Sequence, residues 1–94
     1  MPSVLIRHKV QDYSNWKPLF DAHSSTRRAA GSKGGRLFRS ADDRDELFIL
    51  LEWDDMAKAR EFVDSQELRD AMKRAGVADQ PDIYLLIDLE AVSA

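Results

Sequence analysis

The sequence predicts an α+β fold built on one four-stranded antiparallel sheet, with its elements in the order strand, helix, strand, strand, helix, strand. Three observations predict it. Four apolar, strand-like runs occupy residues 3–10, 35–40, 46–53 and 82–92. Helical periodicities fill the intervals after the first run and after the third. Between the second and third runs stands only the polar stretch Ala41, Asp42, Asp43, Arg44 and Asp45, the length of a hairpin connection, so these two strands pair antiparallel. This βαββαβ order is a split βαβ sandwich, whose helices can cover only one face of the sheet.

In residues 3–10, Val4, Ile6, His8 and Val10 alternate with Leu5, Arg7 and Lys9, the period of two expected of a strand. Asp12 or Ser14 is placed to cap the next segment, in which Tyr13, Trp16, Phe20, His23 and Arg27 recur at helical steps along one face. Proline is tolerated in a first turn, where backbone N–H groups lack partners, so Pro18 predicts a lead-in turn and a main helix over 17–30. Gly31, with Gly34 and Gly35 behind it, reads as a helix stop and loop. After the hairpin, Asp54 or Asp55 caps a helix with Met56, Ala59, Phe62 and Val63 inward. Ser65 caps a second piece carrying Leu68, Ala71, Met72 and Ala75, and Gly76 stops it. Pro81 keeps its predecessor out of helical geometry and introduces the last strand. Residues 1–94 are expected to form one domain, without repeat, low-complexity tract or linker.

Alternation assigns the helix-covered face to Val4, Ile6, His8 and Val10, then Leu47, Ile49, Leu51 and Trp53, then Ile83, Leu85, Ile87 and Leu89. The opposite face holds Leu5, Phe48, Leu50, Tyr84 and Leu86, with either Leu37 or Phe38. A solvated sheet face would be mostly polar, and monomers rarely expose a contiguous apolar patch of this extent. A homodimer joined through Leu5, Phe48, Leu50, Tyr84 and Leu86 is therefore expected, with Arg7 and Lys9 set against Glu52, Asp88 and Glu90 in or around the interface.

Composition excludes several classes of function. The net charge is −3, and the only basic concentration, Arg27, Arg28, Lys33, Arg36 and Arg39, gives way at once to acidic residues between Asp42 and Glu46. Nucleic-acid binders normally carry a basic stripe, so no nucleic-acid partner is expected. The chain has no cysteine, which excludes disulfides, thiolate catalysis and cysteine metal ligation. No apolar run approaches the roughly 20 residues of a membrane span and no signal-type segment is visible, so the expected compartment is the cytoplasm, with no membrane partner. Two histidines without a carboxylate at helical spacing do not make a metal site, and the glycine cluster precedes a strand instead of opening a phosphate-binding helix. No metal and no cofactor are expected.

Three segments carry a family resemblance. They are the stretch Asp12, Tyr13, Ser14, Asn15, Trp16, Lys17 after the first strand; the strand ending Leu50, Leu51, Glu52, Trp53, Asp54, Asp55; and the helix from Ala57 to Phe62 followed by Ser65, Leu68 and Met72. Over nearly its whole length the chain resembles the dimeric α+β barrel proteins, and within them the antibiotic biosynthesis monooxygenase-like group. The resemblance implies two ferredoxin-like sheets paired into a barrel, with a pocket in each subunit between sheet and helices. Some members are cofactor-independent oxygenases of polyketide-type aromatics, some degrade haem, some are cyclases, and many have no known activity. In the haem-degrading branch a polar residue, a Trp and an iron-ligating His fall, by ungapped matching from Trp53, at His8, Phe62 and Met72. Met72 replaces the ligand, so haem degradation is not expected.

His8 interrupts an otherwise apolar face, where a neutral imidazole can accept a proton from a phenolic substrate; the same position suits a hydrogen-bonded core histidine. Trp16, Phe20, Trp53 and Phe62 fit the lining of a pocket for a flat aromatic ligand, although large aromatics at these periods more often fill a plain core, because packing needs such volume. Tyr13 either offers a hydroxyl at the pocket mouth or staples the helix to the strand. His23 either meets His8 across the pocket or lies at its solvent edge. With Met72, these form the candidate set: His8 catalytic, and Tyr13, Trp16, Phe20, His23, Trp53, Phe62 and Met72 in contact with substrate. The expected function is cofactor-independent monooxygenation or binding of a small aromatic molecule. The alternative is a noncatalytic ligand-binding or stress-response protein of the same fold.

Overall fold

The computed structural model describes residues 1–94. Strand β1 (Pro2–Lys9) leads into helices α1 (Tyr13–Ala22) and α2 (Ser24–Ala30), followed by β2 (Ser32–Arg39), β3 (Glu46–Trp53), α3 (Met56–Val63), α4 (Gln66–Arg74) and β4 (Asp82–Ile87). The strands form one antiparallel sheet in the order β2-β3-β1-β4, the ferredoxin-like α+β arrangement.

Register explains the core. Val4, Ile6 and His8 stand opposite Leu51, Ile49 and Leu47, while Val4 and Ile6 also face Leu85 and Ile83. A period of two then turns all of these to the helix side. Val4, Ile6, Val10, Leu47, Ile49, Leu51 and Trp53 are buried there beneath Trp16, Ala59, Phe62 and Leu68. Each fully buried large side chain contributes about 1.5–3 kcal/mol relative to exposure. On the other face Leu5, Phe48 and Leu50 are half-buried, whereas Phe38, Tyr84 and Leu86 remain 45%, 52% and 40% exposed. The register Phe38↔Phe48 places Phe38 on this outer face and Leu37, opposite Ile49, on the inner one.

Capping sets the helix starts. Asp12 Oδ1 accepts from the Ser14 amide at 2.9 Å and from the Ser14 hydroxyl at 2.6 Å, and these bonds hold its carboxyl below the usual range. Asp55 Oδ1 accepts from the Lys58 amide at 2.8 Å, and Ser65 Oγ from the Leu68 amide at 3.2 Å.

Several boundaries differ from the sequence expectation, each for a local reason. Because Asp12 is the cap, α1 starts at Tyr13 and Pro18 lies inside the helix, not in a lead-in turn. The helical segment breaks at His23, whose amide is shared by the Leu19 and Phe20 carbonyls at 3.2 Å each. Gly31, at φ 117°, ends α2 in a left-handed conformation that favours glycine. Gly34 and Gly35 belong to β2, which begins at Ser32 with a register shift before Gly34. At Gly35 the strands come so close that a Cβ would lie 1.7 Å from the Leu50 carbonyl oxygen. β1 ends at Lys9, with Val10 in an isolated bridge to Val77. β4 stops at Ile87 instead of reaching residue 92, because Ile87 already pairs with Pro2, the first residue of β1, and no strand extends beyond it. Ile87 and Leu89, expected in the core, are consequently exposed.

The charges of the outer face also pair differently. Arg7 binds Glu46, Asp79 and Asp82 at 3.0, 2.9 and 2.8 Å, and Lys9 lies 3.0 Å from Asp43, so their partners come from this chain and do not include Glu52, Asp88 or Glu90. The three carboxylates raise the Arg7 pKa, Asp79 contributing most. Asp79 also accepts from the Lys9 amide at 2.7 Å, and the Ala78 amide donates to the Lys9 carbonyl at 2.7 Å. Together these contacts tie the segment after α4 to the end of β1, beside His8.

Candidate functional site

β1 delivers His8 to the inner face between Ile6 and Val10, and α1 brings Trp16 and Phe20 over it one helical turn apart. The His8 and Trp16 rings meet edge to face with centroids 5.8 Å apart, and Trp16 stacks on Phe20 at 4.8 Å and 19°. α3 and α4 close the far side with Phe62, Leu68 and Met72. Between them lies a cavity of about 50 Å³ whose wall includes Ile6, His8, Trp16, Phe20, His23, Arg27, Phe62 and Met72, and is mostly apolar.

His8 is only 1% exposed, and its Nδ1 makes no hydrogen bond. Buried polar atoms are normally satisfied, so this ring nitrogen in the cavity wall is left open to a hydrogen-bonding partner. Burial holds the imidazolium below its ordinary range, with Asp79 opposing and Arg7 reinforcing the effect. The ring is neutral near pH 7 and free to accept a proton. His23 reaches the same wall from the α1–α2 junction; its Nε2 lies 3.5 Å from Glu67 Oε1 without making a hydrogen bond.

Of the residues singled out from the sequence, the structure brings His8, Trp16, Phe20, His23, Phe62 and Met72 to one wall. Tyr13 and Trp53 stand apart from it. Tyr13 is half-buried beside Trp16 and carries the Arg39 guanidinium 5.0 Å from its ring centroid. Trp53 is wholly buried in the core against Phe62, with its own Nε1 unbonded. Sequence reasoning passes over Arg27, which lies in the same wall although a basic residue is normally read as solvated. Its signal is its place on the Tyr13, Trp16, Phe20, His23 stripe.

The antibiotic biosynthesis monooxygenase family model matches residues 17–74, more than half of the chain. The chain belongs to the antibiotic biosynthesis monooxygenase family. The matched region spans α2, β2, β3, α3 and α4 entire, together with most of α1, so it includes every cavity residue named above except Ile6, His8 and Trp16. Among curated protein sequences none matches the chain. Solved structures show the same fold at low identity. SnoaB, a cofactor-independent oxygenase from Streptomyces nogalater, superposes with a TM-score of 0.76 at 13% identity, covering 99% of this chain and 97% of its own. A candidate antibiotic biosynthesis monooxygenase from Bordetella bronchiseptica gives 0.78 at 15% identity, over 95% and 97%. Rv0793 from Mycobacterium tuberculosis gives 0.68 at 20% identity, over 99% and 100%. No helix of this family member is long and apolar enough to cross a membrane, and no group of three or more His, Cys, Asp or Glu side chains is arranged to hold a metal ion.

Proposed function

We propose that the protein binds a small, flat aromatic molecule between sheet and helices, its hydroxyl-bearing edge alone entering the cavity of about 50 Å³ beside His8, which is too small for a whole ring, and takes a proton from it at His8, initiating oxygenation without a cofactor. The observation that carries this reading is the unbonded Nδ1 of a neutral, buried histidine in an apolar wall beside the Trp16 and Phe20 rings. Triplet dioxygen reacts readily with an organic molecule that can give it one electron, and deprotonation to an electron-rich anion makes that transfer easy. A phenol or enol held against His8 loses its proton to the imidazole, and the resulting imidazolium is stabilised by the anion it has created. The ring supplies all four electrons: one oxygen atom replaces a ring hydrogen and ends as a carbonyl, the other leaves as water with the hydroxyl hydrogen and that ring hydrogen, and the product is a quinone. Family membership and the likeness to a cofactor-independent oxygenase support this reading.

We also propose that two copies close over the outer face through Leu5, Phe48, Leu50, Tyr84 and Leu86, joined by Phe38. The exposure of Phe38, Tyr84 and Leu86 supports it, since the helices lie entirely on the other side. His8→Ala is expected to abolish oxygen consumption with a phenolic or enolic aromatic substrate while leaving the dimer intact. Unchanged turnover rejects the catalytic role of His8. Thermal stabilisation by the aromatic without product formation identifies a noncatalytic binding protein instead.

A further inference from the structure

A second recess, of about 460 Å³, lies between the α1–α2 corner and the start of β2. Its lining includes Lys17, Arg27, Arg28, Lys33 and Arg36 against a single acid, Asp21. Part of this charge is already answered within the chain, because Lys17 binds Asp21 at 2.5 Å and Lys33 lies 3.3 Å from Asp54. Arg36 leans toward Phe38 on the outer face. Arg27 is different: it is only 9% exposed, yet it makes no salt bridge. Its one hydrogen bond runs from Nη1 to the Phe20 carbonyl at 2.8 Å, and its guanidinium carbon sits 3.9 Å from the centre of the Phe20 ring.

Buried cations are ordinarily paired with a carboxylate, because removing an unpaired charge from water is costly. Burial accordingly pulls the Arg27 pKa down, against the field of Asp21. A guanidinium carries five N–H donors in a fork that matches a carboxylate, and the Phe20 carbonyl uses one of them. Arg27 also stands where the two spaces meet, since Phe20, Arg27, Ile49 and Leu51 line both the recess and the cavity beside His8. A ligand occupying both would have its apolar edge near His8 and Trp16 and its polar end at Arg27.

We infer that Arg27 is an anion anchor and that the molecule bound here is an aromatic acid, its ring edge in the cavity and its carboxylate in the recess against Arg27, with Arg28 nearby. The inference rests on the reading of the cavity as an aromatic-ligand site and adds the charge that selects the ligand. The test is calorimetric titration of the full chain with a matched pair of probes, naphthoate and naphthol, at neutral pH and low salt. Naphthoate is expected to bind at least about tenfold more tightly than naphthol, the value of one charge-assisted hydrogen bond. Arg27→Gln removes that preference and Arg27→Lys retains part of it. Equal affinity for the two probes in the wild type overturns the anion anchor while leaving the aromatic site standing, and needs no variant. A preference for naphthoate that survives Arg27→Gln overturns the role of Arg27. Binding of neither probe removes both readings together.

Discussion

The desolvation of His8 gives this protein a specific sensitivity to mild acid. The perturbation is His8→Leu, which fills a similar volume without a titratable group. In the folded chain burial disfavours the imidazolium, whereas in the unfolded chain the ring titrates near its ordinary value of 6.5. As pH falls below that value, the unfolded state takes up a proton that the folded state refuses, so stability falls. The loss continues until the lower, folded-state value is reached. One proton taken up only on unfolding changes stability by at most about 1.4 kcal/mol per pH unit. Between about pH 7.5 and about pH 5.5 the wild type therefore loses up to about 1.4 kcal/mol more than His8→Leu, a large share of the stability of so small a chain. Urea unfolding of both proteins across that range, followed by far-UV circular dichroism, measures the difference. Asp12 and Asp43, held below the usual carboxylate range chiefly by hydrogen bonds from Ser14 and the Asp45 amide respectively, titrate below the window. Parallel pH dependences in the two proteins would refute the claim that His8 is buried as a neutral ring.

Gly35→Ala is expected to cost about 3 kcal/mol or more, since its Cβ would meet the Leu50 carbonyl oxygen at 1.7 Å and force β2 from β3, whereas Gly34→Ala, with nothing within 4 Å, costs about 1 kcal/mol for its φ of 95° alone. Thermal melts of the two variants compare them, and equal costs would refute the close approach. Trp53→Ala should cost about 3–5 kcal/mol and Trp53→Phe less than half as much, because Phe keeps most of the packing and removes an N–H that has no partner. Denaturant midpoints check this, and equal losses would show that the indole N–H is satisfied. Leu50→Glu, in the middle of the outer face, should convert a particle of two 10.7 kDa chains into a single chain in sedimentation velocity; a wild type already monomeric at micromolar concentration sinks the proposed dimer.

Most of the sheet is legible in the sequence because charged residues mark the outer face of the two central strands, Arg7 and Lys9 in β1 and Glu46 and Glu52 in β3, and a period of two then puts Val4, Ile6 and His8 on the inner face with Leu47, Ile49 and Leu51. The caps at Asp12, Asp55 and Ser65 are equally local. Most of the features that escape depend on distant partners, the place of Pro18 being the local exception. Pro18 in isolation looks like a helix start, yet the Asp12 cap fixes where α1 begins. Gly34 and Gly35 look like a loop until β3 is laid beside them, at which point Gly35 becomes the residue that lets two strands touch. The last strand keeps an apolar pattern through Leu89 but runs out of β1 to pair with. Alternation matches Arg7 to charges on its own sheet face, while one of its three partners, Asp79, comes from the connection after α4. The aromatic half of the site is visible as a helical stripe, but the burial of Arg27 without a counter-ion is a fact of packing that no spacing encodes.

The most direct test of the site is a nuclear magnetic resonance titration of isotope-labelled protein with naphthol, following the His8 imidazole and the Trp16 indole. A ligand seated between sheet and helices shifts both saturably and with one dissociation constant, and leaves Phe38 and Tyr84 on the outer face unmoved. Shifts confined to Phe38 and Tyr84, or none at His8 when binding is complete, would contradict an aromatic site beside that histidine.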